Sequence, residues 1–551
     1  NVINNKRTVQ QIYNDGYRFA QPPAKPTLTL SQKDGNVVLY WDGSRSENSY
    51  DLVTKTKDFE GYKIYRATDV SFLDARTITN NFGVLSFDKP LAQFDLVDSV
   101  KGFFYPSANL LRNTNGSTFY LGSDNGIVHK FVDTTVVKGQ TYYYAVVSYD
   151  KGWQLDPKDS RQREIFPTEN SKFLFRDASG HITTDLNTGY ITPGARPIGY
   201  QNARPSEIVK SAIFNGTGSI DINVVDEKAV KNNSYKIVYT DTLFHTQTKT
   251  WSLINTTTND TLVKKSSLFY GETPIVEGFR VQQVNQEISI DRDNSGFSGT
   301  KEGGVLPKAF FTPLNTKFKF PSDYQIEFLA ANDNVSVADT IEGIDPLLPT
   351  PVNVRVKNLT TNQNVPFSFV KVPGYVSTEF YFFFKENVDN SSIHTWIFNL
   401  SYPGSTAELE KQGKYVVKTS KPFAATDTVR FTMSASKIDG QTAANSLDLI
   451  KVVPNPYVVT HDQEAKLPSG QTSGRGERFI RFTHIPPGAK ISIFTVRGEL
   501  VRTLQAADLF SGDVRWNLRT EENLDAAFGV YVYVVDAPGI GTKTGKFALI
   551  K

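Results

Sequence analysis

From Thr27 onward the chain is written in short runs in which apolar and polar residues alternate, among them "NVVLYWD", "EGYKIYRATD", "SYKIVYTDT", "DYQIEFLAAND" and "GVYVYVV". Turn residues interrupt these runs roughly every ten positions, and Tyr, Phe, Thr and Val fill them, which is the pattern of strands rather than helices. Long helical periods are nearly absent, so the expected class is all-β. A chain of 551 residues is too long for one hydrophobic core and is expected to divide into several domains.

Composition removes several classes of function. The formal net charge is only +3, with Lys and Arg interspersed among Asp and Glu, so the chain has no basic stripe for nucleic acid. No apolar run approaches the roughly 20 residues of a membrane-spanning helix. The absence of cysteine excludes disulfides, thiolate metal sites and a cysteine nucleophile. The sequence opens at Asn1 with neither methionine nor a charged-then-apolar leader, which points to a signal or an upstream part before it.

Residues 1–22 read as a short segment ending in a proline-rich connector. From there to about residue 165 the order "PTLTL", "NVVLYWD" with Trp41, "FEGYKIYRATD" and "GQTYYYAVVSYDKG" resembles a fibronectin type III domain, which implies that Trp41 packs under Tyr62 and one or more of Tyr142, Tyr143 and Tyr144. Some sixty residues between Asp69 and His129 depart from that family. They read either as hairpins covering a sheet edge or as a binding insertion. Residues 166–205, rich in Pro, Gly, Asn and Arg, read as a structured linker.

Two β-segments then look like diverged copies: "SYKIVYTDT" leads to "WSLINTTTNDTLV" as "DYQIEFLAAND" leads to "VNVRVKNLTTNQNVPF". They are assigned to sandwiches at 206–315 and 316–448. In the second, "EFYFFFKE" carries aromatics on both faces of one strand, so burial on both faces or an interface is expected.

The last hundred residues, 449–551, open with "KVVPNPYVVT". Proline cannot donate to a strand ladder and biases its predecessor toward extended backbone, so the pair reads as a hinge ahead of a first edge strand. "ISIFTVRGELVRTL", "VRWNL", "GVYVYVV" and the terminal "GKFALIK" follow. As a set, these residues resemble the C-terminal immunoglobulin-like domain of proteins exported by the type IX secretion system of Bacteroidota and related bacteria. The resemblance spans Val452 to Lys551 and extends to the immunoglobulin-like domain of the flagellar hook cap. It implies a fold of tandem immunoglobulin-like and fibronectin-like β-sandwiches, an extracellular or cell-surface location, and recognition by the export machinery. Pro454, Asn455, Pro456, Gly529, Tyr531 and Lys546 are the positions of this sequence that carry the sorting motif. In many members of the family the domain is cut off on release or anchoring.

The search for chemistry gives little. His129, His181, His245, His394, His461 and His484 are scattered without close metal spacing, and neither a G-x-S-x-G elbow nor a phosphate loop occurs, so no catalytic residue is assigned and the chain is expected not to be an enzyme. "DRDNSGFSGTKE" does fit a calcium loop: Asp291, Asp293 and Ser295 at alternate positions, the Phe297 carbonyl, and Glu302 at the twelfth place, so Ca²⁺ is the one cofactor expected. Its flanks do not fit an EF-hand. Six Asp-Ser/Thr sites, at Ser99, Thr134, Thr242, Thr261, Thr340 and Thr428, resemble the O-glycosylation sequon of the same bacteria, although Asp-Thr pairs also arise where turns enter strands. The expected role is a secreted structural or adhesive surface protein, whose partners are other surface subunits or copies of itself, the type IX exporter and surface polysaccharide. The alternatives are the accessory C-terminal region of a larger secreted hydrolase, or a carbohydrate-binding protein.

Overall fold

The computed structural model describes Tyr13 and residues 20–550, except 34, 80–84, 108–117, 155–163, 178–181, 243–244, 272, 299–307, 314–318, 331, 342, 374–377, 389–390, 403–412, 462–463, 465–477 and 507. The described chain is all-β, with antiparallel pairing everywhere among the described strands except where Tyr457–Val458 runs parallel to Gly541–Ile550, and with only short helices. It divides into two compact units. One holds residues 1–203, 225–230 and 435–551, and the other holds 204–224 and 231–434.

In the first unit, strands Thr27–Lys33, Asn36–Asp42 and Lys130–Asp133 form a three-stranded sheet. It faces a four-stranded sheet ordered Thr188–Ile191, Tyr142–Asp150, Phe59–Ala67, Ala92–Asp95. Trp41 meets Tyr62 edge-on at 5.8 Å, and both share a core with Val37, Leu39, Ile64, Tyr142, Tyr144 and Val146. The Trp–Tyr packing follows the sequence reading. Every residue of Tyr142–Asp150 is buried, because the opposite sheet face is covered as well, by Phe72 and Ala75 over Tyr65, Ala145 and Val147.

The supposed linker at 166–205 is corrected by this arrangement. Thr188–Ile191 pairs with Tyr142–Asp150 as a true edge strand, and Leu174–Arg176 with Ile182–Thr184 forms a hairpin. Two of its glycines serve close approach: a Cβ on Gly199 would lie 2.4 Å from the Asp439 carbonyl, and one on Gly194 2.3 Å from the Asp513 carboxylate.

The C-terminal sandwich pairs Lys451–Val453, Ile480–Thr483 and Val514–Trp516 in one sheet. In the other, the order is Tyr457–Val458, Gly541–Ile550, Gly529–Ala537, Lys490–Thr495, Leu500–Gln505. Its core also takes Ile198, Ala443 and Ile450, so the domain begins near residue 435 rather than 449. The helix Gly440–Ala444 starts at Asp439, whose carboxylate accepts from the Thr442 amide at 2.8 Å.

The second unit nests one sandwich within another, which corrects the consecutive boundaries 206–315 and 316–448. Thr428–Ser434 closes the first sandwich by pairing with Ser234–Asp241, whereas Ser289–Ser298 and Lys308–Pro313 belong to the second, pairing with Lys414–Ser420 and Ser391–Tyr402. Reading along the chain assumes that neighbours in sequence close each sheet; here the closing strand arrives from almost 200 residues away.

The two sandwiches share a core device. Tyr235 lies opposite Asn255, and Tyr324 opposite Asn358, at matching ends of paired strands. Tyr235 and Asn255 donate to Glu277, as Tyr324 and Asn358 donate to Glu386. Each asparagine carbonyl also accepts two backbone amides of the following turn, Thr257 and Thr258 or Thr360 and Thr361. A shared polar triad in the same register supports the reading of diverged copies. In the aromatic strand Thr378–Val388, Phe380, Phe382 and Phe384 fill the core and Phe383 on the other face is 4% exposed. These side chains therefore hold the sandwich together and are not free for assembly contacts.

Candidate functional site

The Pro-Asn-Pro segment is not a hinge between domains. Lys451–Val453 pairs with Ile480–Thr483 in one sheet, and Tyr457–Val458 pairs in parallel with Gly541–Ile550 in the other, so the two prolines stand where the chain crosses between the sheets of one sandwich. Neither proline donates a backbone hydrogen bond. Asn455 replaces the missing ladder with its side chain: Nδ2 donates to the Lys546 carbonyl and Oδ1 accepts from the Ala548 amide, both at 3.2 Å. Tyr531, one strand further in, stacks on Phe547 at 5.5 Å, lies edge-on to Trp516 and donates to the Ala527 carbonyl. Gly529 begins the same strand at φ +153°. The motif residues Pro454, Asn455, Pro456, Gly529, Tyr531 and Lys546 thus gather around one end of the C-terminal strand.

This sandwich is docked on the first one. Arg481, 5% exposed, donates to Asp513 at 2.8 Å and to the Lys138 carbonyl at 3.3 Å. Arg515 donates to the Gly139 carbonyl at 2.6 Å and to Thr141. Gly139 has φ +86°, and a Cβ there would stand 2.0 Å from the Arg481 guanidinium carbon. Nothing in an isolated "RFIRFTH" distinguishes a docking arginine from a surface one.

The calcium-loop residues lie on Ser289–Ser298 as a bulge between Asp291, opposite Lys418, and Gly296, opposite Val416. Asp291 accepts from the amide and side chain of Asn294, and Ser295 donates to the Asp291 carbonyl. Asp293 is exposed, Phe297 stacks on Phe328, and Glu302 lies outside the described residues. Among the described residues no three His, Asp or Glu side chains gather closely enough to hold a metal ion.

Of the six Asp-Ser/Thr hydroxyls, Ser99, Thr134, Thr261 and Thr340 are exposed, while Thr242 and Thr428 are half-buried. Thr242 is engaged with Thr246 and Gln247. The preceding aspartates hold turns: Asp98 accepts from the Val100 amide, Asp133 from Thr135, Asp339 from Thr340, and Asp427 from Asn215, Gly216 and Ala424. Asp339 is also a hub for Lys385, His394 and Ser368, which together hold its carboxyl well below the usual range despite burial. Ser368 and His394 both bond to the aspartate and not to each other, so the group is no hydrolytic triad.

Two features of the 69–129 insertion were illegible beforehand. Ala92–Asp95 pairs with Phe59–Ala67 and so belongs to the sandwich, while Gly102–Phe104 and Phe119–Gly122 form a hairpin whose inner residues Phe104 and Leu121 pack on Tyr149. Beside it Glu60 is completely buried, and neither carboxylate oxygen has a hydrogen-bond partner among the described residues. Burial, with Asp98, Asp95 and Asp124 nearby and Lys151 opposing them, pushes its carboxyl up to about 8.

No family model and no curated protein matches the sequence. Among solved structures, similarity is found to PorZ, a surface component of the type IX secretion system of Porphyromonas gingivalis, at 9% identity and a TM-score of 0.15, covering 95% of this chain and 51% of that one. The adhesin domain of Epf from Streptococcus pyogenes is similar at 11% identity and a TM-score of 0.14, covering 60% of this chain and 97% of its own. The chain therefore spans about half the length of the PorZ structure. Superpositions this loose place no residue and no activity.

Proposed function

We propose that the chain is an exported, non-enzymatic cell-surface protein with a structural or adhesive role, and that its C-terminal sandwich is both the export address and a permanent part of the folded body. The observation that carries this reading is the convergence of the Pro-Asn-Pro segment, Gly529, Tyr531 and Lys546 around one strand end, on a domain whose Arg481 and Arg515 are locked into the first sandwich. A domain built in this way supports retention rather than removal. Partners in the proposal are the type IX exporter and neighbouring surface subunits. Digestion of intact cells tests it, with glycan on the exposed Ser99, Thr134, Thr261 and Thr340 read in the same peptides.

Calcium at Asp291 and Asp293 is part of the same proposal, as a weak structural clip. Asp291 already serves Asn294, so a cation must displace those bonds, which fits the millimolar affinities of extracellular calcium modules, about 10⁻⁴ to 10⁻³ M. At 10 mM calcium such a site stabilises by roughly 1–3 kcal/mol, a rise of a few degrees in the unfolding midpoint. The rise should vanish in Asp291→Ala/Asp293→Ala. An unchanged wild-type midpoint, or an equal rise in the double variant, dismisses the site.

A further inference from the structure

The hairpin Gly102–Phe104/Phe119–Gly122 turns its apolar residues in two directions. Phe104 and Leu121 face inward onto Tyr149, while Phe103, Tyr105 and Tyr120 face outward and are 48%, 73% and 40% exposed. Phe103 stands opposite Tyr120 across the hairpin. The ring centroids are 5.1 Å apart for Phe103 and Tyr120, and 6.4 Å apart for Phe103 and Tyr105. A strand pair needs only its inner face to fold onto the sandwich, so three clustered rings on the solvent face cost solubility without adding to the core.

We infer that Phe103, Tyr105 and Tyr120 form a stacking platform for a neutral glycan. The three rings are too small to hold a second copy of the chain by themselves. Aromatic side chains present roughly 150–250 Å² each, so these fractional exposures leave about 300 Å², whereas a stable protein interface takes about 600–1,000 Å² from each partner. That area suits a few sugar rings, whose C–H faces stack on the separate faces of rings tilted by 59° (Phe103 and Tyr120) and 54° (Phe103 and Tyr105). The rim is mixed in charge, which argues against an anionic membrane: Lys101 pairs with Asp124 at 2.9 Å and Lys151 with Asp98 at 3.5 Å. Lys101 and Asp124 flank the Gly102–Gly122 end of the hairpin and supply a donor and an acceptor for sugar hydroxyls.

This inference gives the adhesive reading its ligand and rests on it. Affinity electrophoresis of the purified full chain through gels containing laminarin, hydroxyethyl cellulose, xylan or mannan tests it. At least one polysaccharide should retard the protein, and Phe103→Ala/Tyr105→Ala/Tyr120→Ala should weaken that retardation about tenfold or more, the equivalent of about 1.4 kcal/mol. Tyr105→Ala alone, at the most exposed ring, should weaken it in the same direction without touching the fold, while Leu348→Ala, 75% exposed in the other unit, should not. The inference is overturned by no retardation in any gel, by retardation that survives in the triple variant, or by binding to anionic vesicles or self-association that the variant abolishes instead. Because binding is read in solution, its failure leaves the surface location standing, and a failure of surface display leaves the glycan result standing.

Discussion

Replacing Glu60 with glutamine is expected to stabilise the first sandwich at pH 8 and to change it little at pH 4.5. The carboxyl is fully buried and has no hydrogen-bond partner among the described residues, with its pKa raised to about 8 against an ordinary value near 4.5. A group whose folded-state pKa is raised contributes stability that is fully present below the unfolded pKa and is lost as pH rises through the folded one. The wild-type sandwich should therefore lose on the order of 4 kcal/mol between pH 4.5 and pH 8 through this residue. Glutamine, which cannot ionise, should not lose it. Asp150, which burial pushes up to about 6, adds a loss of the same sign in both proteins and cancels in the comparison. Hydrogen exchange of the Phe59–Ala67 and Tyr142–Asp150 strands, compared between the two proteins at each pH, gives the difference directly. A difference of the same size at every pH would show that Glu60 acts by shape and not by charge.

Removing the Arg481 side chain should loosen the C-terminal sandwich from the first one. Asp513 would keep its buried carboxylate without the guanidinium that now holds it at 2.8 Å, and breaking one side of such a buried pair costs about 3–5 kcal/mol. Gly139→Val attacks the same contact from the other side, because its side chain must occupy the space of the guanidinium and its backbone sits at φ +86°. Both variants should open early protease cuts near residues 193–203 and 435–450. Arg481→Ala combined with Asp513→Ala should recover part of the loss, since no charge is then stranded. If Arg481→Ala leaves both the melting profile and the cleavage pattern unchanged, the two sandwiches do not depend on each other.

The all-β class and the first sandwich were legible because alternation and the Trp41–Tyr62 pairing are local signals. The doubled asparagine turns, "NTTTND" and "NLTTNQN", are also visible, yet the glutamates that complete the triads come from a turn in one copy and a strand in the other, at places that no spacing connects. Nesting in the second unit was invisible, since Thr428–Ser434 reads like any strand until its partner is known. "PNP" reads locally as a hinge ahead of a first edge strand, whereas strands of one sandwich lie on both sides of it. The deciding fact was that Asn455 bonds sideways to a strand 91 residues later, a contact outside any local pattern. Glu60 is only a charged residue inside "FEGYKIY": strict alternation sets it on the face of Tyr62 and Ile64, and nothing local shows the register shift that skips it opposite Tyr149 and Asp150.

The central claim, that this chain is displayed outside the cell with its C-terminal sandwich retained, is tested most directly by digesting intact cells that make it and identifying the released peptides. The proposed reading predicts peptides from both units, including one from the strand Gly541–Ile550, released while a periplasmic marker stays intact, with added glycan mass at one or more of Ser99, Thr134, Thr261 and Thr340. Release of these peptides only after the cells are lysed would contradict the surface location. Surface peptides that stop short of residue 452 would contradict retention.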